Sequence, residues 1–196
     1  GIFDHLTEMA EFFCDRADYL ALNISCPNVE GHEAENVKET MMHQIGAISD
    51  GMRIKTLPIM VKFGPTTNMA NLVDMADAAM RAGATGFIAT NTVPFNNQSV
   101  LGFTSLPNAY PGPHQGGVGG YSGPRLLKIS TMMISHLRKF CGTDTPLIGV
   151  GGVQCGEDAQ QLLDAGANAV QLYTGLITKG PKVLTDITGY LGRQRM

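Results

Sequence analysis

The local phrase RAGATGFIAT at residues 81–90 returns as DAGANAVQLYT at 164–174, and this repeat constrains the fold more than any other feature of the chain. In each copy a helical pattern stops, Gly83 or Gly166 turns the backbone, and an apolar run begins within three residues. Glycine suits that turn because the residue after a helix C-terminus commonly adopts a left-handed conformation. Five short apolar runs recur in all: YLALNIS (19–25), PIMVKF (58–63), GFIATNT (86–92), PLIGVGG (146–152) and AVQLYTG (169–175). They lack strict alternation of apolar and polar residues, so they read as strands covered on both faces, as in a parallel sheet. Helical patterns at 34–50, 68–82, 124–140 and 157–165 separate them, and residues 2–18 look like one more helix feeding the first strand. Alternation of this kind predicts an α/β fold with right-handed crossovers.

With 196 residues the chain is long enough for one sizeable domain and short for two. A hydrophobic content of 43% against 16% charged residues fits a well-buried globular protein. The net charge of -3 gives no basic face, so no nucleic-acid partner is expected. No apolar run approaches the ~20 residues that span a bilayer, and the first residues lack a basic-then-apolar signal pattern. Cys14, Cys26, Cys141 and Cys155 are widely separated and form no CxxC pair, which argues against a zinc or iron–sulfur site and fits a reducing, cytosolic or matrix compartment. The five histidines show no ligand spacing, and no metal is expected.

The polar residues of the strands gather at their carboxyl ends. The first supplies Asn23, Ser25, Cys26 and Asn28, the second Lys62, and the third Asn91 and Thr92. The fourth ends in Gly151 and Gly152, and the fifth in Tyr173, Thr174 and Gly175. If the strands are parallel, these residues share one face. The turns at 151–152 and 174–175 suit backbone N–H groups closing on a phosphate near the last two strands of a barrel. GGVGGYSGPR (116–125) is a third flexible turn before a helix. Asparagine amides donate and accept at once, which matches a flat ligand with both carbonyl and N–H edges. An unpaired ammonium is costly to bury, so Lys62 at the end of an apolar strand reads as a site residue. Residues 92–118, rich in Asn, Pro and Gly, form a long connection of the kind that serves as a lid or mobile segment.

Taken in order and at these separations, NISCPN, VKF, ATNT, GGYSG, IGVGGV and VQLYTG resemble the dihydroorotate dehydrogenase family, with the flavin domain of dihydropyrimidine dehydrogenase a near neighbour. The resemblance covers residues 17 to 182. It implies a TIM (β/α)8 barrel that binds FMN over its carboxyl face and oxidises dihydroorotate to orotate in pyrimidine biosynthesis. By position, Cys26 is then the base for the C5 proton while a hydride leaves C6 for the flavin. Asn23, Asn28, Asn91 and Thr92 hold the pyrimidine. Lys62 and Asn91 face the isoalloxazine ring, and Gly120, Gly151, Gly152, Tyr173 and Thr174 cradle the ribityl phosphate.

A cysteine base belongs to the soluble class of the family, whereas LIGVGGV and VQLYTGLITKGP resemble the membrane-associated, quinone-using class. The acceptor is therefore a quinone, fumarate, or NAD through a partner subunit, and the location is cytoplasmic or, for the quinone class, membrane-associated. A homodimer is a candidate assembly. The family barrel has eight strands and this chain shows five, so it is expected to be a single partial barrel domain without the amino-terminal strands, inactive on its own. Three alternatives stand beside this one: reduction of uracil or thymine, a phosphate-binding barrel without redox chemistry, and a non-catalytic fragment that binds no flavin.

Overall fold

The computed structural model describes residues 2–24, 37–52, 55–94 and 120–194. The elements in order are α1 (Ile2–Phe13), β1 (Leu20–Asn23), α2 (Val37–Gly51), β2 (Ile59–Phe63), α3 (Met69–Arg81) and β3 (Gly86–Ala89). Two short strands follow, β4 (Val93–Pro94) and β5 (Gly120–Tyr121). A 3-10 turn (Pro124–Leu126) then leads into α4 (Leu127–Cys141), β6 (Leu147–Val150), α5 (Gly156–Asp164), β7 (Ala169–Gln171), α6 (Thr174–Lys179) and α7 (Lys182–Gln194).

Five strands form one parallel sheet in the order β1-β2-β3-β6-β7. The order follows the sequence without reversal, so every crossover advances the same way and the helices fall on one side. A doubly wound sheet reverses direction at a switch point and carries helices on both faces. Sequential winding instead produces the arc of a (β/α) barrel. The curvature brings the two sheet edges toward each other. Gln171, the last residue of β7, donates from Nε2 to the Tyr19 hydroxyl just before β1 at 3.5 Å. A flat sheet would hold these edges about 19 Å apart at the usual strand spacing, farther than two such side chains reach. The five strands expected from the sequence are therefore present, as a bent arc.

Alternation along the strands separates the two faces. Ile59, Val61 and Phe63 of β2, Phe87 and Ala89 of β3, and Leu147 of β6 belong to the core shared with the helices. Phe63 and Phe87 stack with centroids 5.4 Å apart. Fully burying a side chain of this size contributes roughly 1.5–3 kcal/mol. The intervening residues share the other, inner face: the register sets Asn23 beside Lys62, Lys62 beside Ile88, and Ile88 beside Ile148.

The repeated phrase works as expected. After α3, the Gly83 N–H donates to Met80 O at 3.0 Å and the Ala84 N–H to Ala79 O at 2.9 Å. After α5, the Gly166 N–H donates to Leu163 O at 2.9 Å and the Ala167 N–H to Leu162 O at 3.0 Å. This double bond pattern, with φ of 109° and 111° at the two glycines, is the Schellman termination.

Three features depart from the expectation. The strands stop earlier than the apolar runs: β6 ends at Val150 because Gly151 and Gly152 take φ of 109° and 89°, which breaks the ladder. The long connection is not wholly irregular, since β4 and β5 pair antiparallel and tie its two ends together; residues 95–119 lie outside the described residues. Finally, α6 and α7 were not anticipated. Two threonines and two glycines in KVLTDITGYLGRQ lower helix propensity, and α7 is held by burying Val183 and Ile187.

Candidate active site at the strand ends

β3 leads into the site through a cis peptide bond between Ala89 and Thr90. Thr90 is 2% exposed; its N–H donates to Val150 O at 2.7 Å and its hydroxyl to Phe63 O at 3.3 Å. The next residue, Asn91, donates its own N–H to Phe63 O at 2.9 Å. Residues 90 and 91 thus fasten the end of β3 to β2 on one side and β6 on the other. This fixes where the Asn91 side chain starts. Its amide Nδ2 donates to Asn23 Oδ1 at 3.3 Å, and its Oδ1 accepts the Thr92 N–H at 2.9 Å. Two carboxamides from strands far apart in sequence are therefore held edge to edge.

A cavity of about 270 Å³ opens over these strand ends. Lys62, Asn91 and Thr92 line one part of it. Gly151, Gly152, Tyr173 and Thr174 line another. Together with Gly175, eight residues expected at the strand ends from the sequence thus share one cavity, with Asn23 joined to them through Asn91. Gly120 is not in the lining. It lies behind Thr92, where an added Cβ would come within 2.1 Å of Thr92 Oγ1. Cys26 and Asn28 lie outside the described residues.

Each wall has a physical logic. Lys62 is partly buried on the inner face, beside Asn23 in the register, and has no hydrogen bond or ion pair among the described residues. Burial holds its pKa below the ordinary lysine value because desolvation penalises the charged form. Such a cation suits a ligand that brings electron density or negative charge. Elsewhere in the lining, the glycine turn approaches the start of α4 closely. A Cβ on Gly152 would sit 2.3 Å from Leu127 N, and one on Gly151 2.7 Å from Ser130 Oγ. Gly175 is equally confined, 2.5 Å from Val153 O by the same measure. These contacts lie on the protein side, so glycine is what lets the turn pack against the start of α4 while it lines the cavity.

Sequence reasoning missed Thr90, Ser122 and Gln154, which also line the cavity. Thr90 and Ser122 stood inside quoted motifs, ATNT and GGYSG, but their neighbours drew attention. Gln154 carried no signal; its N–H donates to Asp158 Oδ2 at 2.8 Å and its carbonyl accepts from Lys179 Nζ at 2.9 Å. The remaining cysteines take no part. Cys14 is buried and its Sγ donates to Glu11 O at 3.1 Å, and Cys141 Sγ donates to Leu137 O at 2.9 Å. At Cys155, burial raises the thiol pKa.

Comparison with known proteins agrees with this arrangement. A family model described as dihydroorotate dehydrogenase matches residues 3–194. Dihydroorotate dehydrogenase (quinone) of Bordetella avium (strain 197N) is 32% identical over 194 residues, covering 96% of this chain and 52% of that protein. The protein of the same name from Verminephrobacter eiseniae (strain EF01-2) is 37% identical over 176 residues, covering 87% and 46%. Among solved structures, dihydroorotate dehydrogenase of Eimeria tenella in complex with ferulenol superposes with a TM-score of 0.74 at 26% identity, covering 97% of this chain and 52% of that one. The chain spans about half the length of the curated relatives it matches. A sequentially wound parallel arc, a cavity at its carboxyl rim and a match over residues 3–194 place the chain in the dihydroorotate dehydrogenase family.

Proposed function

We propose that this chain carries the flavin- and substrate-binding rim of an FMN-dependent enzyme that oxidises dihydroorotate to orotate, a step in pyrimidine biosynthesis. The observation that carries the reading is the convergence of Lys62, Asn91, Thr92 and the Gly151–Gly152 turn on one cavity, with Asn23 bonded to Asn91. The residues present fit FMN. The Gly151–Gly152 turn brings main chain to the cavity wall, as a phosphate group needs, and the partly desolvated Lys62 ammonium suits an electron-rich ring. FMN, when bound, supplies the acceptor for the hydride leaving C6 of the substrate.

The rest of the chemistry falls to the chain. Asn23 and Asn91 offer paired amide edges to the carbonyl and N–H groups of the pyrimidine. Lys62 fixes a positive charge beside the reacting centre. Cys26 stands three residues beyond Asn23 in the sequence, and as thiolate it takes the C5 proton. Loss of that proton and the C6 hydride leaves the C5–C6 double bond of orotate. A free thiol titrates near pH ~8.5, so the reaction gains from alkaline pH. The quinone named in the relatives, together with LIGVGGV and VQLYTGLITKGP, supports a quinone as final acceptor over fumarate or NAD. A lipid-soluble acceptor in turn favours a membrane-associated location.

The test is orotate formation by an FMN-loaded full-length barrel that carries this chain's rim, with a short-chain quinone. Dihydroorotate should give orotate, and dihydrouracil should give no uracil. A protein that binds FMN but turns over dihydrouracil instead refutes the substrate assignment. One that binds inorganic phosphate and no flavin refutes the redox reading.

A further inference from the structure

Thr92 enters the β4–β5 ribbon, whose register pairs Val93 with Tyr121 and Pro94 with Gly120. Carried one residue further, that register sets Thr92 across from Ser122, and both line the cavity. Side chains alternate along a strand, so position 120 belongs to the same face as these two. There the ribbon carries no side chain. A Cβ on Gly120 would overlap Thr92 Oγ1 and lie 2.7 Å from Thr92 Cβ, with Val93 O next at 3.5 Å. The Thr92 hydroxyl therefore fills the space that any other residue at 120 would take.

Backbone conformation does not call for glycine at this position. Gly120 does not take a positive φ, in contrast to Gly123 at 144°. Glycine is otherwise a cost in a strand, because it loses more freedom on folding and has nothing to pack; its use there marks a close approach. Here the group approached is one side chain of the cavity. Threonine is branched at Cβ and stiff at χ1, so whatever bounds its hydroxyl also sets where its methyl points. The main chain of Thr92 is held from the other direction: its N–H donates to Asn91 Oδ1 at 2.9 Å, and Asn91 donates to Asn23.

We infer that Gly120 is a positioning residue for the substrate: it keeps Thr92 in the rotamer that meets the pyrimidine ring, and it takes no part in holding the cofactor. The inference rests on the reading above, in which Thr92 faces the substrate, and moves Gly120 from the cofactor cradle to the substrate side.

The test uses an FMN-loaded full-length barrel that carries this chain's rim, as wild type, Gly120→Ala, Thr92→Gly and the double variant. Flavin absorbance reads orotate binding, and flavin fluorescence reads FMN affinity. Gly120→Ala should weaken orotate and raise KM for dihydroorotate by about threefold to tenfold, the loss brought by a side chain forced off its rotamer. FMN affinity and kcat should stay unchanged. With glycine at 92 the added methyl meets only Val93 O, so Gly120→Ala should have no further effect in that background. A loss confined to FMN, an equal loss of FMN and orotate, no loss at all, or the same loss with glycine at 92 overturns the positioning role. So does a Gly120→Ala barrel that fails to fold, since Thr92 has then not simply turned aside. In each of these cases wild type still binds orotate, and the functional reading survives. A wild-type barrel that binds FMN and not orotate overturns that reading and this inference with it.

Discussion

Replacing Gly152 by alanine separates two costs that the site imposes on its backbone. At φ +89°, an alanine suffers the left-handed penalty of about 1–2 kcal/mol. Its Cβ would also meet Leu127 N at 2.3 Å and Leu127 Cα at 2.6 Å. These are backbone atoms at the start of α4, and the Leu127 N–H is engaged with Pro124 O, so they cannot swing aside as a side chain would. Overpacking of this kind costs about 1–3 kcal/mol, giving a total of about 2–5 kcal/mol for Gly152→Ala. Gly83 supplies the control: its φ is +109°, and an added Cβ would meet nothing nearer than Ser49 Oγ at 3.8 Å. Gly83→Ala should therefore cost only the conformational part, about 1–2 kcal/mol. At roughly 2–4 °C per kcal/mol for a chain of this size, Gly152→Ala should melt about 2–12 °C below Gly83→Ala. Thermal melts followed by circular dichroism read the difference. Gly152→Ala should also lose flavin quenching, whereas Gly83→Ala should keep it. Two variants that melt together would show that the turn yields to a side chain, and the argument that only glycine can form this wall would fail.

Other predictions follow from single interactions. Lys62→Met should raise the melting temperature of the ligand-free protein while weakening flavin binding, because it removes a desolvated cation with no partner among the described residues. The folded-state pKa of Lys62 is lowered, so its penalty is complete at neutral pH and is relieved as pH rises toward the unfolded value of about 10.4. The gain from Lys62→Met should shrink over that alkaline range, and a gain independent of pH would contradict the desolvation argument. Arg138→Lys should destabilise the fold by about 2–3 kcal/mol in a denaturant titration, with little change in flavin binding. The guanidinium donates to Gly166 O at 2.7 Å, Thr145 O at 2.9 Å and Asn168 Oδ1 at 2.7 Å, and also to Gly142 O; one ammonium cannot reach them all. Cys26→Ala should keep flavin binding and lose most of the alkaline rise in flavin reduction by dihydroorotate. A variant that reduces its flavin at the wild-type rate would remove Cys26 from the role of base.

Much of the arrangement was legible because its signals are local. The Schellman glycines, the apolar runs and the polar residues that follow them each depend on a few neighbours in the chain. Lys62, Asn91 and Gly152 could therefore be assigned to strand ends before any coordinates. Long-range pairing left weaker traces. The β4–β5 ribbon joins residues 93–94 to 120–121 across a stretch of Asn, Pro and Gly with no strand pattern. Likewise, α7 carries two threonines and two glycines that speak against helix and is held by burying Val183 and Ile187.

The amino-acid order alone determined that strands and helices alternate, where the helices end, and which polar groups each strand delivers, since backbone preference and hydrophobic periodicity act over a few residues. Tertiary structure decided what those groups meet. Asn91 reaches Asn23, and Ser122 reaches Thr174, because sequential parallel winding bends the sheet into an arc and draws distant strand ends over one cavity.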